Sequence, residues 1–126
     1  MVMLGILLAT VASFIASAGL YAVPAISALI ARTSTPRPGL TVVQQMGSVV
    51  LRSLMVSCLI AGLMAAAAWT GAVAGLLLGV ALSVLPFTLL LGGVVHENTA
   101  VTAAGIHFLD WIIKLAIIGA IVGACV

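Results

Sequence analysis

The stretch 103–126, AAGIHFLDWIIKLAIIGAIVGACV, is long and apolar enough to cross a membrane, yet it carries His107, Asp110 and Lys114. Positions 107, 110 and 114 follow an i, i+3, i+7 rhythm, which places all three on one side of a helix. In a soluble helix this side would simply face water. Here no other residue of the stretch is charged and the surrounding sequence also reads as membrane. A charged helix face in hydrocarbon needs a partner, a water-filled cavity or a route to the interface. The rest of the chain is therefore read for what gives that face somewhere to point.

Of the 126 residues 65% are hydrophobic and 5% charged, with a mean hydropathy of +1.49. A soluble domain is roughly 25% charged. Four continuous apolar runs, at about 3–30, 47–69, 71–95 and 103–124, each supply the roughly 20 helical residues that a hydrocarbon core requires. The period-two alternation of a transmembrane β-barrel is absent. The expected fold is all-α: a polytopic membrane protein with four transmembrane helices in one compact bundle spanning 1–126. Basic residues are few and scattered, so the net charge of +2 does not point to nucleic acid. Cys58 and Cys125 form no disulfide framework, and packing is the simpler reading of both.

In the first run, Ala16-Ser17-Ala18 resembles a signal-peptidase site. No Lys or Arg precedes it and the hydrophobicity continues past it, so the segment is expected to be retained. Gly5, Ala9, Ser13 and Ser17 recur every four residues and form a small-residue face. Pro24 is a place to kink the helix or end the spanning part near Val23, leaving a short interfacial extension, with Tyr21 at the boundary. The loop 32–45 holds Arg32, Arg37 and a Pro-Arg-Pro-Gly run that cannot continue a helix. Arg52 lies about one turn inside the second run, where it either snorkels to the headgroups or turns inward to an acid. Trp69 is an expected interfacial anchor.

Thr70 and Gly71 leave almost no linker, so the second and third helices are expected to form a tight hairpin. Gly71, Gly75, Gly79 and Ser83 then give a doubled small-xxx-small face, the strongest packing signal in the chain. The pattern does not reveal whether its partner lies in the same chain. Pro86 is expected to bend the later half of this helix, and Gly92-Gly93 to soften or end it. His96, Glu97, Asn98 and Thr99 form a polar connection, with Asn98 or Thr99 as the expected cap of the last helix and Glu97 beside its N-terminus. Gly119 and Gly123 add one more, weaker pair of small residues.

The candidate polar network comprises Arg52, His96, Glu97, His107, Asp110 and Lys114. Counted from their helix starts at 1.5 Å per residue, Arg52 and Asp110 lie at matching depth, so an Arg52–Asp110 pair is geometrically open. Asp110 and Lys114 also form an i, i+4 pair in the favourable acid-before-base order. Three readings follow: mutual neutralisation, with Arg52 snorkelling and His107 satisfied by a backbone carbonyl; a polar path for a proton, ion or small solute; or an interchain salt bridge that fixes an oligomer or a partner. His107 and Trp111 are spaced to stack. A metal would need three or four convergent ligands, and the two histidines lie eleven residues apart, so no metal or other cofactor is expected. No nucleotide loop, catalytic triad order or CxxC pair is present.

The layout resembles a widespread family of small prokaryotic four-helix membrane proteins of uncharacterised function. The likeness rests on Gly19-Leu20-Tyr21-Ala22-Val23-Pro24 after the first span, the His96-Glu97 turn, the Ala104-Gly105-Ile106-His107 start of the last helix and its Gly119-to-Gly123 end. The single aromatic at Tyr21, and Asp110 and Lys114 themselves, depart from that pattern. The resemblance implies the four-span fold and supplies no activity. Arg32, Arg37 and Arg52 gather at one surface, so the positive-inside rule puts the loop 32–45 in the cytoplasm and both termini outside a prokaryotic plasma membrane. The expected function is that of a non-catalytic homo-oligomeric or accessory membrane subunit, contacting lipid and other membrane chains. The competing expectation is a small proton- or ion-linked transporter or channel built on the Asp110/Lys114 face.

Overall fold

The computed structural model covers residues 1–126 and contains helices only. In order these are α1 (Val2–Ala22), α2 (Pro24–Thr33), α3 (Val42–Ala66), α4 (Ala72–Leu82), α5 (Val84–His96) and α6 (Val101–Cys125). α1, α3, the α4–α5 pair taken as one bent span, and α6 are each long and apolar enough to cross a membrane. The chain is thus a multi-pass helical membrane protein by the length and composition of its helices.

The breaks have local causes. Val23 adopts an extended conformation before Pro24, which opens α2 at a position where proline's missing N–H costs nothing. The third span breaks at Ser83, one turn before Pro86. The proline ring collides with the carbonyl four residues earlier, that of Leu82, so the distortion falls ahead of the proline and not in the later half as its position in the sequence suggested. The Ser83 hydroxyl donates to Val80 O at 2.6 Å and caps the break. Gly92 and Gly93 neither soften nor end the helix, which continues to His96.

α3 starts earlier than the sequence suggested, and the loop is shorter. Thr41 and Gln44 form a capping box: Gln44 N–H donates to Thr41 Oγ1 at 3.2 Å and Thr41 N–H donates to Gln44 Oε1 at 2.9 Å. The pattern T-x-x-Q was present in the sequence and is sufficient to place this start. At the other turn, Ala100 is the N-cap of α6 and makes no side-chain cap, so neither Asn98 nor Thr99 plays that part. Asn98 takes the left-handed conformation, and Glu97 ends α5 instead of preceding α6.

α6 is the centre of the bundle. It packs against α1, α2, α3, α4 and α5, whereas α5 approaches only α4 and α6. α4 and α6 run antiparallel with their backbones in contact. Gly75 faces Gly119, Gly79 faces Leu115, and Gly71 faces Gly123, so each four-residue step along one helix matches a step back along the other. The Gly71 N–H donates to Gly123 O across the pair at 2.9 Å. Gly71 has φ +94°, a conformation that side chains disfavour. The partner of the glycine face therefore lies in the same chain, and Ser83, one step beyond Gly79, stands at the break and outside the ladder.

The two halves of the bundle differ. Ile6 and Ala9 of α1, Ile60 and Met64 of α3, and Ile118 and Val122 of α6 form the packed core, in the half nearest the chain termini. In the half nearest the 34–41 loop the helices separate, with α5 packed on α4 and α6 and not on α3. Small hydroxyls join α1 to α3 between these regions: Thr10 Oγ1 donates to Ile6 O at 2.8 Å and reaches Ser57 Oγ at 3.4 Å, while Ser57 donates to Ser53 O.

Candidate functional site

The loop-side half encloses a cavity of about 450 Å³ between α1, α3, α5 and α6. Its polar wall is supplied by Ser17 and Tyr21 from α1, Arg52 from α3, and His107, Asp110 and Lys114 from α6. The i, i+3, i+7 face of the last helix thus turns away from the bundle exterior and into this space.

Asp110 is the hub. Its Oδ2 lies 2.8 Å from Lys114 Nζ, and its Oδ1 accepts a hydrogen bond from Ser17 Oγ at 2.5 Å. Asp110 is 5% exposed and Lys114 3%. Both carboxylate oxygens are engaged, and no buried side-chain polar atom lacks a partner. The cost of burying such a pair falls as its other lone pairs and protons find partners, and Ser17 supplies one of these to Asp110. Lys114 Nζ also lies 5.4 Å from the centre of the Trp111 ring, a cation–π distance.

One turn nearer the loop, Tyr21 Oη and His107 Nδ1 share a hydrogen bond at 2.6 Å, with the rings tilted at 45°. α1 and α6 are antiparallel, so a four-residue step from Ser17 to Tyr21 meets the step from Asp110 to His107. His107 therefore pairs with Tyr21 and not with Trp111 or a backbone carbonyl.

Arg52 stands at the mouth of the cavity. The Arg52–Asp110 pair left open by their matching depth does not form: Arg52 Nε donates to Ser48 O at 3.3 Å, and the only ion pair is Lys114–Asp110. The two residues are at similar distances along α3 and α6, but Asp110 is held by Ser17 and Lys114 while Arg52 turns to its own helix backbone. His96 and Glu97 lie exposed at the α5–α6 turn and do not line the cavity. The structure thus gathers Arg52, His107, Asp110 and Lys114 and separates His96 and Glu97 from them. Ser17 and Tyr21 belong to the site although the sequence presented them as a packing residue and an interfacial ring. No group of three or more His, Cys, Asp or Glu side chains converges as a metal site would require.

A second, apolar groove of about 290 Å³ runs between α3 and α5, lined by residues that include Val56, Leu59, Leu85 and Leu89. It shares Leu90 and Trp111 with the polar cavity, so the two are adjacent.

No curated protein and no solved structure matches this chain. A family model does, over residues 4–123, a range that takes in all four spans, the glycine ladder and every residue of the cavity wall. With its spans and its polar face inside that match, the chain belongs to the family described as "Protein of unknown function (DUF1761)".

Proposed function

We propose that this chain is a small membrane transporter that admits a polar or ionic solute, or a proton, to the Asp110–Lys114 pair from one side of the membrane. The observation that carries this reading is the half-open bundle: a 450 Å³ cavity reaches a buried ion pair near the middle of α6, while the other half is closed by core residues. That volume falls within the range of small-ligand sites, roughly 300–1,000 Å³, and exceeds what a structural ion pair needs. A polar site near mid-membrane, open on one side and sealed on the other, is one half of an alternating-access cycle. With Arg32, Arg37 and Arg52 on the loop side, the positive-inside rule places the open side in the cytoplasm of a prokaryotic cell and both termini outside.

The accessory or homo-oligomeric reading draws on the glycine face, on the dominance of membrane spans and on the lack of a catalytic order of residues, and the first of these is filled by α6 of the same chain. What still supports it is α5, which buries no residue of its own.

Proteoliposomes loaded with a pH-sensitive dye test the transport reading. Among small inorganic and organic anions and cations applied outside, at least one is expected to drive protein-dependent proton movement. Asp110→Asn and Lys114→Leu, each alone, are expected to abolish it. Folded wild-type protein that moves no proton with any solute would remove the transport reading and leave the accessory one.

A further inference from the structure

We infer that the cavity and the groove together bind one single-chain monoanionic amphiphile, a fatty-acid carboxylate, with its headgroup at Arg52 and its chain between α3 and α5. The inference rests on the proposed solute-binding role of the cavity and specifies the ligand class.

Arg52 lies within a span and has no carboxylate partner. Asp110 is not that partner, since it pairs with Lys114 and accepts from Ser17 and makes no ion pair with Arg52. Glu97, the only other acid, stands at the exposed α5–α6 turn outside the cavity. Asp110 and Lys114 cancel, so the cavity wall carries one uncompensated positive charge, which a single anionic group neutralises. A guanidinium presents paired N–H donors that match a carboxylate, and Tyr21 and His107 add hydrogen-bonding groups beside it.

The chain has a path as well. Leu90 and Trp111 line both spaces, so the groove lies directly beside the polar cavity, and its lining of Val56, Leu59, Leu85, Pro86 and their neighbours is apolar throughout. α5 makes no close backbone approach to α3 along this path. A purely polar solute would leave the groove unused, and a neutral lipid tail would leave Arg52 without a counterion. A monoanionic amphiphile satisfies both at once.

Trp111 sits at the junction and provides the readout. The chain has two tryptophans, and Trp69 lies at the turn between α3 and α4, away from both cavities, so Trp69→Phe isolates the signal. The protein is placed in phosphatidylcholine nanodiscs and titrated with stearate brominated at mid-chain. Saturable quenching of Trp111 is expected, reversed by unlabelled stearate and much less by stearyl alcohol. Arg52→Gln is expected to raise the half-saturating concentration by about tenfold, the size of one charge-assisted hydrogen-bond interaction, and Arg52→Lys to recover part of it. Arg52 is exposed and bonds only a backbone carbonyl, so these variants retain the fold.

Quenching that rises without saturation, is equal in Arg52→Gln, or is competed equally by the alcohol would overturn the inference. So would a cross-linked dimer through α5 that excludes the brominated chain. If stearate fails in these ways while butyrate still quenches or shifts Trp111 emission through Arg52, only the amphiphile falls and the polar-solute reading stands. If neither acid acts on Trp111, both lose their support.

Discussion

Gly75→Ala is expected to cost the protein roughly 3 kcal/mol or more, at the upper end of overpacking effects, although it adds only a methyl group. That methyl would collide with the carbonyl oxygen of Gly119 and lie 3.0 Å from Gly123 Cα. Gly79→Ala meets the Leu115 carbonyl in the same way. In both cases the obstacle is backbone in the middle of a helix, not the end of a flexible side chain, so relief requires α4 and α6 to move apart. Moving them apart would disturb every helix that packs on α6. The control is Gly105→Ala. Gly105 is also within α6, and nothing lies within 4 Å of a Cβ placed there. Alanine favours a helix over glycine by about 0.5–1 kcal/mol, so this variant is expected to be neutral or slightly more stable. Reversible unfolding in mixed micelles, followed by circular dichroism, reads the contrast. Equal effects at 75 and 105 would contradict the close backbone contact.

The second large effect concerns the ion pair. Asp110→Ala leaves Lys114 buried without a counter-charge and takes the acceptor from Ser17. Breaking a buried pair this way costs roughly 3–5 kcal/mol. Replacing both residues, with Asp110→Leu and Lys114→Met together, removes the charges along with their desolvation cost. The Ser17 hydroxyl can turn back to the carbonyl four residues earlier, as Thr10 does to Ile6 O. The double variant is therefore expected to recover most of the stability lost by Asp110→Ala while losing solute-driven proton movement altogether. Stability and activity then part company, which a purely structural pair would not allow. A double variant that still moves protons would mean that the charges are not part of the path.

The features that sequence made legible are those with a local cause. Long apolar runs, Pro24 and Pro86 account for four spans and two breaks; the short link at Gly71 makes a turn but not the tight hairpin it suggests, because α4 packs chiefly on α6 and only slightly on α3. The four-residue spacing of Gly71, Gly75 and Gly79 identified a close-packing face, but its partner depends on which helix comes back beside it. Gly119 and Gly123 carry the matching spacing, and the antiparallel register that joins the two sets is a property of the folded bundle. The cavity was half legible. His107, Asp110 and Lys114 announced themselves as polar residues in an apolar run. Ser17 did not, because a serine every fourth residue beside Gly5 and Ala9 reads as a small residue and its hydroxyl looks incidental. Arg52 and Asp110 line one cavity, but counting residues from the helix starts says nothing about direction around the helix axis or about a competing partner. His96 and Glu97 are adjacent in sequence to the polar helix and so read as an extension of its network. The turn carries them out to the exposed end of α5.

The proposed transport role requires a cavity that is open to water on the loop side and closed towards the termini. Thiol labelling measures this most directly. With Cys58 and Cys125 replaced, Ala18→Cys and Val49→Cys place thiols on the cavity wall, and Ala9→Cys and Ala61→Cys place them in the packed half. A small, uncharged hydrophilic maleimide applied to the protein in liposomes is expected to modify positions 18 and 49 and to leave 9 and 61 unmodified. Failure to label positions 18 and 49, or equal labelling of all four, would contradict a half-open bundle.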